Sequence, residues 1–418
     1  MKKSLFALSL LVVCLSGNTL TLQESINKTL SNNPDIKSFI LKTAQSRKSY
    51  DASFADYLPQ INLQAEYDLT QTYTLPSGGI FNTVDDDGWY AGVNLKQKIW
   101  DFERTSSTVG ASKIDEDIAE LSLDDIRELM VYKVKSLYKL IVVQKEAIEV
   151  RTKDVASKKA YYDQAKALVL QGLKTKADSS RFLSAYYLSQ ENLAISQASF
   201  DKAKNSLSLY MGEEIKEDAT FETDVIKKKY ILEDAWALEE EILANNSQIK
   251  IDAQNIDKNR LLYKSAQASH YGSLDAIASY KHFDTLNAYD SSVVGVTLEL
   301  PLYSGGRTTA EAQKAQIGVQ VAKERQASKI LAIKENLSNL IIDIMRYDKT
   351  IDSKQAQIIS ANDTKDVLQG RYKEGLSTYI EVLDAESLAL EAELGLLEAY
   401  YTKSVAIDNI DYLKGKAQ

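Results

Sequence analysis

Two hydrophobic periods alternate along this chain. Ile61, Leu63, Ala65, Tyr67 and Leu69 alternate with Asn62, Gln64, Glu66, Asp68 and Thr70. That predicts a two-faced strand of about 9 to 10 residues, the length a tilted barrel strand needs. Trp89, Ala91, Val93, Leu95 and Ile99 alternate with Asn94, Lys96 and Lys98, and Val294, Val296, Leu298, Leu300 and Leu302 with Ser292, Thr297 and Glu299. A weaker strand lies near Leu274 to Tyr280, where Ile277 breaks the pattern. The predicted strands cover about 60–73, 89–100, 273–283 and 292–303. Tyr67, Tyr73, Phe81, Trp89, Tyr90, Tyr280, Phe283 and Tyr289 gather near them, and such rings favour the headgroup level of a membrane. Alternation alone also describes a soluble antiparallel sheet.

The second period is helical. From Arg104 to Val169 there is no proline and one glycine, Gly110. Those 66 residues (169 − 104 + 1) make a helix of about 100 Å. Arg307 to Tyr372 is equally long. Ile330, Ile333, Leu337, Leu340, Ile344, Tyr347, Ile351 and Ile358 keep coiled-coil spacing, as do Met130, Val134, Leu137, Ile141 and Ile148. Taken alone, these stretches describe a soluble coiled-coil hairpin. Strands preceding both long helices point instead to a tunnel joined to a sheet.

The chain is one sequence written twice. Asn32-Asn33-Pro34-Asp35-Ile36-Lys37 matches Asn245-Asn246-Ser247-Gln248-Ile249-Lys250 at an offset of 213 (245 − 32), which also aligns Tyr50 with Tyr263 and Tyr67 with Tyr280. From Gly92-Val93 onward the offset is 203 (295 − 92), through Arg104 and Arg307, Gly172 and Gly375, and Gly212 and Gly415. The 10 residues lost between the offsets (213 − 203) fall between Tyr67 and Trp89, where Leu75-Pro76-Ser77-Gly78-Gly79 and Asp85-Asp86-Asp87-Gly88 mark a loop. The expected organisation is 1–17 signal peptide, 18–212 first repeat, 213–230 connection near a tunnel equator, 231–415 second repeat and 416–418 tail.

Gly172 and Gly375 fall where each long helix stops, and glycine allows the left-handed geometry of a helix end. Asp178 and Glu381 open the returning helices, a favourable place for acids. Gly305-Gly306 marks a strand-to-helix bend.

Met1-Lys2-Lys3, an apolar run from Leu5 to Leu15 and Ser16-Gly17 together predict a secretory signal. The run is about 11 residues, short of the roughly 20 that span a bilayer. Cys14, the only cysteine, leaves with it, so no disulfide is expected. Without Lys2 and Lys3 there are 48 basic and 59 acidic residues, a net charge of −11, which argues against nucleic acid as partner. His270 and His282 are the only histidines. No nucleophile-base pair, phosphate-binding loop or metal-ligand spacing is present, and no cofactor is implied. Lys227-Lys228-Lys229 is read as a solvated charge run.

Four strands cannot close a barrel, and an open sheet in lipid leaves unpaired edges. A barrel must therefore be shared, with twelve strands from a trimer or eight from a dimer.

Three further segments carry a family resemblance: Tyr57-Leu58-Pro59-Gln60-Ile61, Leu300-Pro301-Leu302-Tyr303-Ser304-Gly305-Gly306-Arg307 and Arg371-Tyr372-Lys373-Glu374-Gly375-Leu376-Ser377-Thr378-Tyr379-Ile380-Glu381-Val382-Leu383-Asp384-Ala385. With these the chain resembles the TolC family of outer-membrane channels over essentially its mature length. The resemblance implies a mainly α fold with a small β part. In it, long antiparallel coiled-coil helices form an α-barrel tunnel, and four strands per protomer join a twelve-strand trimeric barrel in outer-membrane lipid. It implies a homotrimer with a periplasmic adaptor (membrane fusion) protein and an inner-membrane RND or ABC transporter, proton-driven or ATP-driven. The expected function is a passive duct for drugs, small molecules or secreted proteins; a soluble periplasmic coiled-coil adaptor is the alternative.

By motif position, Glu381 and Asp384 match acids that narrow the closed periplasmic entrance, Asp178 an acid on the neighbouring hairpin, and Tyr372 a tyrosine that helps tie the hairpins shut. The pattern departs at Ser377, where a basic residue is expected; Lys174 and Lys176 are candidate substitutes. Independently of the family, Glu381 and Asp384 are three apart and share a helix face. On that physics alone, acids that serve only the helix N-terminus and face solvent are the favoured reading, and the family resemblance reverses it.

Overall fold

The computed structural model describes residues 19–77, 80–227, 230–231, 234–285 and 287–416. The signal-peptide segment with Cys14, the pair Gly78-Gly79, Lys228-Lys229 and the last two residues of the tail lie outside these.

In chain order the elements are β1 (Thr19–Leu20), α1 (Leu22–Asn32), α2 (Pro34–Phe54), β2 (Gln60–Ser77), β3 (Ile80–Trp100), α3 (Arg104–Leu170), α4 (Lys176–Met211), β4 (Thr220–Phe221), α5 (Ala235–Asn245), α6 (Ser247–Ala268), β5 (Ser273–Asp284), β6 (Tyr289–Glu299), α7 (Arg307–Lys373) and α8 (Tyr379–Leu413). The chain is mainly helical and visibly duplicated. Both long helices have 67 residues.

The duplication extends to backbone detail. Asn33 and Asn246 end α1 and α5, and their Nδ2 atoms donate to Tyr210 O and Leu413 O, each at 3.0 Å. Gly212 and Gly415 close α4 and α8 with φ of 63° and 68°. The strand-to-helix bends also correspond. Gly305 and Gly306 take φ of 64° and 83°, and at the aligned positions Phe102 and Glu103 take 56° and 70°. Left-handed backbone is costly for residues with a Cβ. In the first repeat it is held by Asp101, whose Oδ2 accepts from Thr105 N at 2.9 Å and Thr105 Oγ1 at 2.5 Å.

One compact unit contains residues up to Lys37, Ile126–Asn246 and the chain from Ile333. Its core is Val131, Val134, Tyr138, Ile141, Val142, Leu207, Met211 and Phe221. The coiled-coil positions Met130, Val134 and Ile141 of α3 and Ile333, Leu337, Leu340, Ile344 and Ile351 of α7 are buried. The parallel pair β1-β4 is fixed by Tyr138, whose hydroxyl donates to Leu20 O (2.7 Å) and accepts from Glu222 N (2.8 Å). Burial pushes this hydroxyl up to about 12. Lys227, from the lysine run, pairs with Glu146 of α3 at 3.2 Å.

The other unit, Ser38–Asp125 with Ser247–Ala332, holds a four-stranded antiparallel sheet of order β2-β3-β5-β6. The strand ends differ from expectation in two places. Where a loop is expected at 75–77 and 85–88 the chain is strand: β2 continues to Ser77 and β3 starts at Ile80, with Asp85 and Asp86 paired to Thr72 and Gln71. Acidic residues hide this extension from hydrophobic patterning but not from backbone pairing; Thr72 Oγ1 donates to Asp85 Oδ1 at 2.7 Å. In the second repeat β6 begins at Tyr289 and ends at Glu299 rather than near 303. Pro301, two residues on, has no N–H for a ladder.

Tyr138→Phe would strip a donor from Leu20 O and an acceptor from Glu222 N, at about 1–3 kcal/mol for each buried group left unpaired. Limited proteolysis should then cut the 213–230 connection about 10-fold faster or more; an unchanged rate would show that Tyr138 does not hold this segment.

Candidate functional sites: an apolar band and a helical tip

The register gives the sheet two unlike faces. On one, Ile61, Leu63, Ala65 and Tyr67 of β2 lie beside Leu95, Val93, Ala91 and Trp89 of β3. Ala278 and Tyr280 of β5 continue the Leu95 and Val93 rows, which reach Val294 and Ser292 of β6, with Val296 next to Val294 on the same face. The apolar residues of this band stand open, with Leu63 78% and Val294 88% exposed; toward the loop end the same face carries His282, Asp290 and Ser292. Exposed apolar surface of this extent marks a surface meant to be covered.

Aromatic residues bound the band. At the loop end stand Tyr67, Trp89 and Tyr280, each with its polar tip on a carboxylate. Tyr67 OH donates to Asp87 Oδ2 (2.6 Å), Trp89 Nε1 to Asp284 Oδ2 (2.9 Å), and the Tyr280 hydroxyl to Asp290. At the helix end Trp100, Phe102 and Tyr271 form a chain of ring contacts with centroids 6.1 and 5.2 Å apart. Trp100 reaches this face through a bulge after Lys98, which pairs it with Leu274. Trp89 and Trp100 stand 11 positions apart (100 − 89) on one strand. That is about 36 Å of chain, or about 25 Å of height at a roughly 45° tilt, the height of an outer-membrane apolar band. No helix among the described residues is long and apolar enough to cross a membrane.

The opposite face carries Gln60, Asn62, Gln64 and Glu66 of β2, Asn94 and Lys96 of β3, Ser279 and Lys281 of β5, and Ser291 and Thr297 of β6. This face is mainly polar, with Ile277 and Val293 as aliphatic exceptions.

The helical tips lie in the other compact unit. Gly172 and Gly375 end α3 and α7 with φ of 75° and 76°. Each tip then starts its returning helix with a reciprocal cap. Thr175 N and Oγ1 both donate to Asp178 Oδ2 at 2.9 Å, and Asp178 N returns to Thr175 Oγ1 at 3.3 Å. Thr378 N and Oγ1 donate to Glu381 Oε2 at 2.7 and 3.0 Å, and Glu381 N returns at 3.3 Å. The Thr378 backbone N–H holds the Glu381 carboxyl below its ordinary range. Asp178 and Glu381 thus serve helix starts, while Asp384 stands exposed three residues further on.

Tyr372 is 1% exposed. Its ring meets Phe182 edge-on at 5.5 Å, Phe182 stacks on Tyr161 at 5.6 Å, and Lys174 Nζ lies 4.9 Å from the Tyr372 centroid. The hydroxyl has no hydrogen-bond partner. Burial, with the Asp178 charge second, pushes its pKa up. Within this chain Tyr372 therefore joins the hairpins through packing. Ser377 bonds to Leu368 O at 3.1 Å, within its own hairpin; Lys174, one of the two proposed basic substitutes, acts here through the ring.

Sequence reasoning missed Glu386. This buried carboxylate on α8 accepts from Tyr161 OH (3.0 Å) and Ser157 Oγ (3.1 Å) of α3. Its position one residue after the buried Ala385, on the core face of α8, was the available signal.

A sheet banded for lipid with a polar reverse face, joined in sequence to helices of 67 residues, defines an outer-membrane channel protein. The sequence profile of the Outer membrane efflux protein family matches residues 25–213 and 238–413, and the chain belongs to that family. It is similar to outer membrane protein TolC of Vibrio cholerae, with 22% identity over 91% of this chain and 87% of that one. Cation efflux system protein CusC of Escherichia coli is 20% identical over 91% and 83%. Among solved structures, the outer-membrane channel OprN superposes with a TM-score of 0.85 at 16% identity, covering 94% of this chain and 90% of that one.

Two outcomes are expected at the tip. Because the Glu381 pKa is depressed in the folded tip, the cap's stabilisation is present above the ordinary carboxylate range and lost as pH falls through the depressed value. Amide exchange at Glu381, corrected for intrinsic rate, should rise on acidification in the native chain and become flat with pH in Glu381→Gln; parallel profiles would remove the cap's role. Tyr372→Phe deletes an unpaired buried hydroxyl, so the tip should keep or gain stability, whereas Tyr372→Ala should lose about 3–5 kcal/mol. Equal losses would mean that the hydroxyl, not the ring, joins the hairpins.

Proposed function

We propose that this chain is one subunit of a homotrimeric exit duct, passive in itself, that serves a tripartite efflux pump or a type I secretion system. The observation that carries the proposal is the banded sheet with strands β2 and β6 at its two edges. In lipid an unpaired strand edge costs several kcal/mol for each unsatisfied group. Four strands per chain and three chains make a twelve-strand barrel without edges. The long helices then continue the duct as an α-helical tunnel into the periplasm, and the 213–230 connection lies near its equator. A periplasmic adaptor and an inner-membrane RND or ABC transporter supply the energy. The exposed apolar band speaks against a soluble adaptor, which would hold such a surface in water.

The helical tips form the periplasmic entrance, where threefold symmetry gathers Asp384 and Glu381 into an acidic ring. Tyr372, Phe182 and Lys174 hold neighbouring hairpins together, and Asp178 starts the adjacent helix. Since Glu381 is engaged in its cap, Asp384 is the acid facing permeating ions.

In planar bilayers the purified protein should give small, cation-favouring conductance steps. Asp384→Ala should raise conductance or weaken block by multivalent cations more than Glu381→Ala does. A monomeric mass in detergent with no conductance would sink the duct; conducting channels indifferent to both substitutions would sink the entrance assignment alone.

A further inference from the structure

A row of side chains on the polar face of the sheet is out of character with its surroundings. Glu66, Tyr90, Phe283 and Tyr289 are register partners, one from each strand. Tyr90 and Phe283 have centroids 5.3 Å apart, and Phe283 stacks on Tyr289 at 4.9 Å with 11° between planes. The opposite face already supplies the loop-end membrane girdle through Tyr67, Trp89 and Tyr280. The Tyr67–Trp89 pair lies one register step from this row on the opposite face, and only one of the two faces can meet lipid. The other faces the water of the duct, where Phe283 has no polar atom to satisfy.

This row is built to leave its rings open. Gly88 and Gly92 flank Tyr90 on the same face of β3. A Cβ at Gly92 would lie 2.5 Å from Lys281 Cγ, so Lys281 passes through that gap and sets its Nζ 5.3 Å from the Tyr90 centroid. One aromatic face here already holds a cation. Glu66 Oε2 accepts the Tyr90 hydroxyl at 2.6 Å, and Asp68 follows Glu66 on the same face of β2.

We propose that Tyr90, Phe283 and Tyr289, with Glu66 and Asp68, form a subsite for aromatic organic cations on the inner wall of the duct near its outer mouth. Flat rings stack on the Phe283–Tyr289 pair, and the positive charge lies toward the carboxylates. The proposal rests on the reading that the polar face lines the duct. It adds a substrate class for which the wall itself has affinity.

The test uses the assembled protein in a planar bilayer with tetraphenylphosphonium added in turn to each side. Brief partial closures are expected when the probe is added on the loop side. Phe283→Leu combined with Tyr289→Leu keeps apolar volume but removes the ring faces. It should shorten the mean closure about 10-fold with open conductance unchanged, and benzenesulfonate should not produce closures. Closures of equal duration in the double variant, or equal closures from benzenesulfonate, overturn the subsite while leaving the duct intact. Absence of all current is instead a failure of the duct. Ethidium binding to the folded protein, followed by fluorescence anisotropy against protein-free micelles, then decides: tighter binding than in the double variant supports the subsite, and equal binding overturns it.

Discussion

The structure depends on one constraint: a backbone N–H or C=O inside a bilayer must be hydrogen-bonded within the protein. A four-stranded sheet satisfies its two inner strands, β3 and β5, and leaves β2 and β6 each with one open side. Its banded face directs it into lipid, where those sides cannot stay open. Assembly is then a consequence of the sheet. In the proposed barrel, the apolar residues that would be a liability in water become the lipid contact, and the polar rows of the reverse face enclose water.

Duplication supplies this sheet economically, and the two copies reach one geometry by different chemistry. Where the second repeat bends with Gly305 and Gly306, the first holds Phe102 and Glu103 in the same left-handed region. In return, the first bend gains an aromatic ring packed against Tyr271 and an ion pair between Glu103 and Lys264. The longer first hairpin is another divergence: it carries an acidic strand segment beyond the band, whereas the second turns back at Asp284 and Tyr289. The tips diverge as well. Both use a threonine-acid cap, but one pairs Thr175 with Asp178 and the other Thr378 with Glu381.

Much of this was legible in the sequence because periodicity reports burial directly. The starts of both long helices at Arg104 and Arg307, the αL glycines at both tips and the two faces of β2 could be read from spacing alone. Two kinds of feature could not. The strand extension through Asp85-Asp86-Asp87 carries no hydrophobic signal, since both its faces are polar and only backbone pairing defines it. The roles within the tip also depended on geometry: Glu381 and Asp384 look equivalent as acids three apart, yet the first is held by Thr378 and the second is not. Tyr372 was singled out only through the family resemblance; its ring packing on Phe182 and its unpaired hydroxyl depend on geometry that spacing does not carry.

The central claim is that the sheet edges are closed between chains. Hydrogen exchange of the protein in lipid nanodiscs measures this directly, through the alternate amides of β2 and β6 that face away from their partner strands. If three copies close one barrel, those amides exchange as slowly as the amides of β3 and β5. Fast exchange along either outer edge, with the inner strands protected, would contradict it.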